Sequence, residues 1–134
     1  QVSENPVVRM AMVERRLRKL AAIGKIIMPP VVYGDAKAGM TLVTWGSTLG
    51  PVLQAMEASA RIIHFPWLYP FPTDATKALL TGATRIIDVE QNATGQLASL
   101  IREHTGIEIT EKLLKYDGRP FMPEEILEKL KVKS

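Results

Sequence analysis

Ile86-Ile87-Asp88-Val89-Glu90-Gln91-Asn92-Ala93-Thr94-Gly95-Gln96-Leu97 is the stretch on which the fold turns. Thr84 to Val89 reads as a buried strand, Glu90 to Ala93 as a short polar junction, and Thr94 to His104 as a helix. In α/β sheets ligands and partners gather at such strand-to-helix junctions. This one carries acceptors, donors and small residues that admit close backbone approach, but no nucleophile, metal-ligand set or redox group. It predicts a site that holds something rather than one that reacts.

The same alternation extends in both directions. Thr41 to Trp45, Arg61 to Phe65 and Glu111 to Tyr116 read as further strands. Pro51 to Ala60, Asp74 to Leu80 and Pro123 to Leu130 read as further helices. Alternating strands and helices predict an α/β fold, a three-layer structure with a mostly parallel sheet of four to five strands and helices on both faces. Parallel strands present their carboxyl ends on one edge, so Trp45 to Gly50, Pro66 to Pro72 and Glu90 to Gly95 should collect there. Tyr116 to Phe121 joins them if the last strand is parallel.

Ahead of this core, Asn5 reads as an N-cap and Pro6 as the first helical residue. Met10, Val13, Leu17, Leu20 and Ala21 share one face of the helix that follows, and Arg9, Arg15, Arg16, Arg18 and Lys19 lie on the other. Without interleaved aromatics, that basic face reads as solvated rather than as a nucleic-acid contact. Ile26 to Val32 is interrupted by Pro29-Pro30 and so cannot be a central strand, because proline lacks the ladder donor. Gly34 to Gly39 makes a turn. We therefore expect one domain: a leading helix over 1–24, a connecting segment over 25–40, and an α/β core over 41–134.

Composition narrows the function classes. The chain has 134 residues and is 46% hydrophobic, enough for one core. Its 17 Lys and Arg against 14 Asp and Glu give a net charge of +3, too small an excess to name a nucleic-acid partner. It has no cysteine, which excludes disulfides, cysteine-ligated iron–sulfur clusters and cysteine nucleophiles within this chain. No apolar run approaches the roughly 20 residues of a membrane span. A cytoplasmic setting with no membrane partner is the expectation. The chain begins at Gln1 and enters a helix at once, which suggests a piece excised from a longer polypeptide.

Three junctions carry candidate binding residues. Gly46, Ser47, Thr48 and Gly50 could present backbone N–H groups and hydroxyls to an anion, although their spacing is neither a P-loop nor a dinucleotide fingerprint. Trp67, Tyr69 and Phe71, stiffened by Pro66, Pro70 and Pro72, read as a protein interface, against packing within the domain. Glu90 could serve as an acid or base, but no second carboxylate, His or Lys is fixed nearby by spacing. Asp88 shares its strand face and gives only a faint pairing signal. Hydrogen bonding, structural or at an interface, is the reading for Glu90. His64 and His104 stand apart from other ligating residues, and Asn92-Ala93-Thr94 matters as a glycosylation acceptor only in a secreted chain.

Leu42-Val43-Thr44-Trp45-Gly46-Ser47-Thr48, then Glu90 through Leu97, then Lys115-Tyr116-Asp117-Gly118-Arg119-Pro120-Phe121 with Pro123-Glu124-Glu125-Ile126, together resemble the alpha subunit of 2-oxoacid:ferredoxin oxidoreductases. The resemblance covers nearly the whole chain and falls on the C-terminal region of that subunit, which is similar to the C-terminal domain of transketolase. It implies a mixed five-stranded sheet with one antiparallel edge, the fifth strand lying near Ile26 to Val32 if present. It implies a parent complex that oxidatively decarboxylates a 2-oxoacid on thiamine diphosphate and Mg, reduces ferredoxin through iron–sulfur clusters, and releases an acyl-coenzyme A. None of these cofactors is expected in this piece. Its partners would be other domains of the same subunit and the beta subunit, with ferredoxin and coenzyme A partnering the parent complex. The contact residues carried over are Glu90, Gln91, Asn92, Thr94, Gly95 and Gln96, and Tyr116, Asp117, Gly118 and Arg119, alongside the aromatic loop.

Two readings follow. The first is a non-catalytic assembly domain, inactive by itself. The second is a small-molecule or anion-binding module, regulatory or assisting coenzyme A recognition, built on Gly46 to Gly50 and the Thr94 to Gln96 helix start.

Overall fold

Strands short enough to be buried on both faces set the architecture. The computed structural model describes residues 6–56 and 59–131. Its central sheet runs β1 (Val31–Gly34), β3 (Arg61–Phe65), β2 (Thr41–Trp45), β4 (Ile86–Glu90) and β5 (Glu111–Leu114) in spatial order. β2 to β5 are mutually parallel and β1 pairs antiparallel with β3. The four-to-five-stranded mixed sheet expected from the sequence is thus a five-stranded one. Thr41 to Thr44 and Ile62 to Phe65 are continuously buried, as strands covered on both faces must be.

Helices α2 (Leu49–Met56) and α5 (Pro123–Lys131) cover one face, packing on Leu42, Ile62, Ile87, Val89 and Leu113. Helices α3 (Thr73–Leu80) and α4 (Gln96–Thr105) cover the other, over Val43, Ile63 and Phe65. Gly106, in the left-handed conformation that glycine adopts freely, closes α4 through its N–H to the Arg102 carbonyl.

The connecting segment belongs partly to the sheet. Pro29-Pro30 confines the strand that follows to the edge, where β1 pairs Val31 with His64 and Gly34 with Arg61. Val31 to Gly34 of the connecting segment thus supply the fifth strand of the sheet. Helix α2 also differs from expectation: a 3₁₀ turn over Gly46–Thr48 leads into it, and the helix runs from Leu49 to Met56.

The N-terminal helix α1 (Pro6–Ala22) lies outside the three layers. Of its expected core face, Ala21 is buried but Val13 and Leu17 remain exposed, because α2 to α5 already cover the sheet. Val13 and Leu17 line an open groove with Met28, Val31 and Tyr33 on the β1 side. The predicted Asn5 cap falls outside the described residues, as do the side chains of Arg9 and Met10. No helix among the described residues is long and apolar enough to cross a membrane.

Candidate functional site

β2 is flanked by β3 on one side and β4 on the other, and the chain leaves β2 toward α2 on one face and β4 toward α4 on the opposite face. The carboxyl ends of β2 and β4 thus form the topological switch point, where open α/β sheets bind ligands. Backbone pairing between these strands extends to Val43 and Asp88. Beyond it, side chains bridge the strands. Thr44 Oγ1 donates to the Val89 carbonyl at 2.8 Å, and Trp45 Nε1 donates to Glu90 Oε1 at 2.9 Å.

Glu90 is the hub of this crevice. It is completely buried, and its Oε1 also accepts from Asn92 Nδ2 at 2.8 Å and from the Leu97 amide at 2.9 Å, while Oε2 accepts from the Ala98 amide at 3.3 Å. The last two are unpaired first-turn donors of α4, which has no side-chain cap from its N-cap residue Gly95. A carboxylate on these amides also meets the positive end of the helix dipole. Asn92 completes the loop, its Oδ1 accepting from the Thr94 and Gly95 amides at 3.1 and 2.7 Å. This turn shifts the start of α4 from Thr94 to Gln96. Burial opposes ionisation of Glu90, but the neighbouring Asp88 carboxyl and the hydrogen bonds donated by the Leu97 amide, Asn92 and Trp45 outweigh it and hold the carboxyl below its ordinary pKa.

Gly95 is required on two counts. Its φ of +67° is left-handed, and a Cβ there would lie 3.3 Å from Lys112 Cδ, 3.5 Å from Asp88 Oδ2 and 3.7 Å from Glu90 Oε2. Asp88 is also fully buried, and its carboxyl is pushed up to about 10, first by burial and then by the neighbouring Glu90, with Lys112 and the Ala98 amide pulling the other way.

Around this hub the junctions meet on one edge. In the aromatic loop the expected residues divide: Tyr69 is 53% exposed, whereas Phe71 is buried, stacked between Phe65 at 5.7 Å and His104 at 4.9 Å. Trp67 is half-buried, and its Nε1 meets no acceptor among the described residues. Gln96 Nε2 donates to the Tyr69 hydroxyl at 3.1 Å and so ties this loop to the start of α4. Gln91 and Thr94 are exposed, and Glu90 and Gly95 lie within, beneath them.

The loop after β5 joins the edge because β5 is parallel to β4. Lys115 Nζ donates to both Glu125 oxygens at 2.7 and 2.6 Å, and Glu125 Oε1 also accepts from the Met122 amide at 2.8 Å, capping α5. Asp117 accepts from the Arg119 amide at 3.0 Å around Gly118. Tyr116 (71% exposed), Arg119 and Met122 project outward from this braced loop.

At the proposed anion turn, the Gly46 carbonyl accepts from His64 Nε2 at 3.0 Å, Thr48 is buried, and Ser47 and Gly50 are exposed. Burial holds the His64 imidazole below its ordinary pKa, against the pull of that carbonyl. It is a neutral structural donor. No cluster of three or more His, Asp or Glu side chains able to hold a metal ion occurs among the described residues. The residue that sequence reasoning did not single out is Trp45. The signal lay in strand order, since only adjacency of β2 and β4 brings their last residues together.

No family model matches the chain. Among curated proteins it is 38% identical over 133 residues to 2-oxoacid:ferredoxin oxidoreductase 2, subunit alpha, of Aeropyrum pernix, covering 92% of this chain and 21% of that protein. It is 37% identical over 140 residues to the 2-oxoacid:ferredoxin oxidoreductase subunit alpha of Saccharolobus solfataricus, covering 98% of this chain and 22% of that protein. The chain thus spans about a fifth of the length of these relatives. Among solved structures, the 2-oxoglutarate:ferredoxin oxidoreductase from Magnetococcus marinus, with 2-oxoglutarate, coenzyme A and succinyl-CoA bound, matches with a TM-score of 0.72 at 27% identity. That match covers 98% of this chain and 24% of that one. The alpha chain of a probable 2-oxoacid ferredoxin oxidoreductase from Thermoplasma acidophilum matches with a TM-score of 0.54 at 40% identity, covering 78% of this chain and 96% of that one. With nearly the whole of the Thermoplasma chain matched at that identity, the chain belongs to the 2-oxoacid:ferredoxin oxidoreductase alpha-subunit family.

Proposed function

We propose that this domain is a non-catalytic assembly domain of a cytoplasmic, thiamine-diphosphate-dependent 2-oxoacid:ferredoxin oxidoreductase. It docks other domains of its subunit and the beta subunit through Tyr69, Gln91, Thr94, Gln96, Tyr116 and Arg119. One observation carries the reading: the switch-point crevice, where a ligand would sit, is filled by the domain's own Glu90. The α4 amides that would bind a phosphate or carboxylate are already bound to that side chain. Anchor residues at protein interfaces are typically aromatic or Arg, and Tyr69, Tyr116 and Arg119 stand outward on loops braced from beneath.

In this reading the cofactors of such a complex lie elsewhere. The chain has no cysteine to ligate an iron–sulfur cluster, and the crevice donors that a diphosphate would need are taken by Glu90. In this reading, oxidative decarboxylation, ferredoxin reduction and acyl-coenzyme A formation take place elsewhere in the complex.

The test is made in the complete complex with Tyr69→Ala and Arg119→Glu introduced together. The expected result is dissociation, seen by size exclusion with light scattering, while the remaining assembled fraction oxidises 2-oxoacid at its usual rate per complex. A complex that stays assembled but needs a raised coenzyme A concentration would refute the assembly role and favour a ligand-binding module.

A further inference from the structure

Asp88 and Glu90, two residues apart on β4, project from the same face of the sheet, and both are fully buried. Their surroundings are unequal. Glu90 receives four N–H donors, whereas neither oxygen of Asp88 meets a donor among the described residues. The Cβ position of Gly95 lies 3.5 Å from Asp88 Oδ2 and 3.7 Å from Glu90 Oε2, so both carboxyls crowd beneath the same glycine. The groups facing them are few. β5 contributes Lys112, whose side chain is exposed; α4 contributes the Leu97 and Ala98 amides; β2 contributes the neutral Trp45. Two like charges cannot both ionise in so small and dry a site. With the neutral donors directed at Glu90, the proton belongs on Asp88, the oxygen pair that lacks one.

We propose that Asp88 is a neutral carboxylic acid at physiological pH that donates its proton to Glu90, acting as the positioning residue that fixes Glu90 beneath the 91–95 loop and the first turn of α4. The raised pKa of Asp88 and the lowered pKa of Glu90 agree with this division. The inference goes beyond the assembly role and holds whether or not the loop docks a partner.

The sign of its pH dependence follows from linkage. Between the unfolded pKa of Asp88, about 4, and its folded value, about 10, the folded chain holds a proton that the unfolded chain has released. Stability from this group is therefore full below pH 4 and falls as pH rises, the folding constant dropping up to tenfold per unit. Asp88→Asn keeps a donor toward Glu90 and removes the titration.

The experiment labels aspartate carboxyls of the 134-residue chain with carbon-13 and follows them by NMR from pH 4 to 9, with urea unfolding of wild type and Asp88→Asn across the same range. One aspartate signal, absent in the variant, should stay in the protonated range through pH 8. The folding constant of Asp88→Asn relative to wild type should climb up to tenfold per pH unit between pH 5 and 8. An Asp88 signal that titrates below pH 5, or a flat ratio, overturns the proposal. Should Asp88→Asn not fold, the wild-type titration decides, with the carbonyl stretch of a protonated acid in the infrared spectrum as the second measurement.

Discussion

Removing the Glu90 side chain tests whether the switch point is held from within. In Glu90→Ala, four donors lose their acceptor: Trp45 Nε1, Asn92 Nδ2 and the Leu97 and Ala98 amides. Trp45 and Asn92 are half-buried and can recover water, so their loss contributes little. Leu97 and Ala98 are buried, and an orphaned buried amide costs about 1–3 kcal/mol. Two of them, with the lost helix-end charge at about 0.5–1 kcal/mol, give a destabilisation of about 2.5–7 kcal/mol. With a urea dependence of about 1–3 kcal/mol per molar, the midpoint should fall by at least about 0.8 M. Glu90→Gln retains one acceptor oxygen and loses roughly half as much, since its new N–H₂ can donate only toward Asp88. The assay is urea unfolding at pH 7 followed by circular dichroism, with tryptophan fluorescence reporting exposure of Trp45. A Glu90→Ala loss below about 0.5 kcal/mol, the range of ordinary surface substitutions, would mean that the amides reach water unaided. The crevice would then be open rather than self-filled.

Gly95→Ala should destabilise by about 1–2 kcal/mol in the same urea assay, because an L side chain is strained at φ +67° and the new methyl abuts Lys112 and the paired carboxyls. Phe71→Ala should cost about 3–5 kcal/mol and increase protease cleavage of the 66–72 loop, since the ring is clamped between Phe65 and His104. Tyr69→Ala, by contrast, should stay within about 1 kcal/mol of wild type as an isolated chain, because it removes one exposed hydrogen bond. Under the proposed docking role, its effect is read in the assembled complex.

Much of the fold was legible because the strands are short apolar runs flanked by turn residues. Thr41 to Trp45 and Arg61 to Phe65 needed no tertiary information, and Pro29-Pro30 excluded their neighbour from the centre of the sheet. What the sequence could not supply was strand order. The Trp45 to Glu90 bond spans residues 45 apart and exists only because β4, not β3, lies on that side of β2. In the aromatic loop, Trp67, Tyr69 and Phe71 read alike as interface residues, but alternation in a proline-rich loop does not set orientation, and Phe71 turns inward onto Phe65 and His104. The α4 start moved by two residues because Asn92 captured the Thr94 and Gly95 amides before the helix could use them.

A crevice filled by its own glutamate also frees folding from supply. Proteins whose switch point awaits a nucleotide or other anion gain stability by mass action and weaken when that ligand is scarce. Here the anion is covalently attached to the chain at fixed stoichiometry, so the α4 amides at the switch point are satisfied without a metabolite.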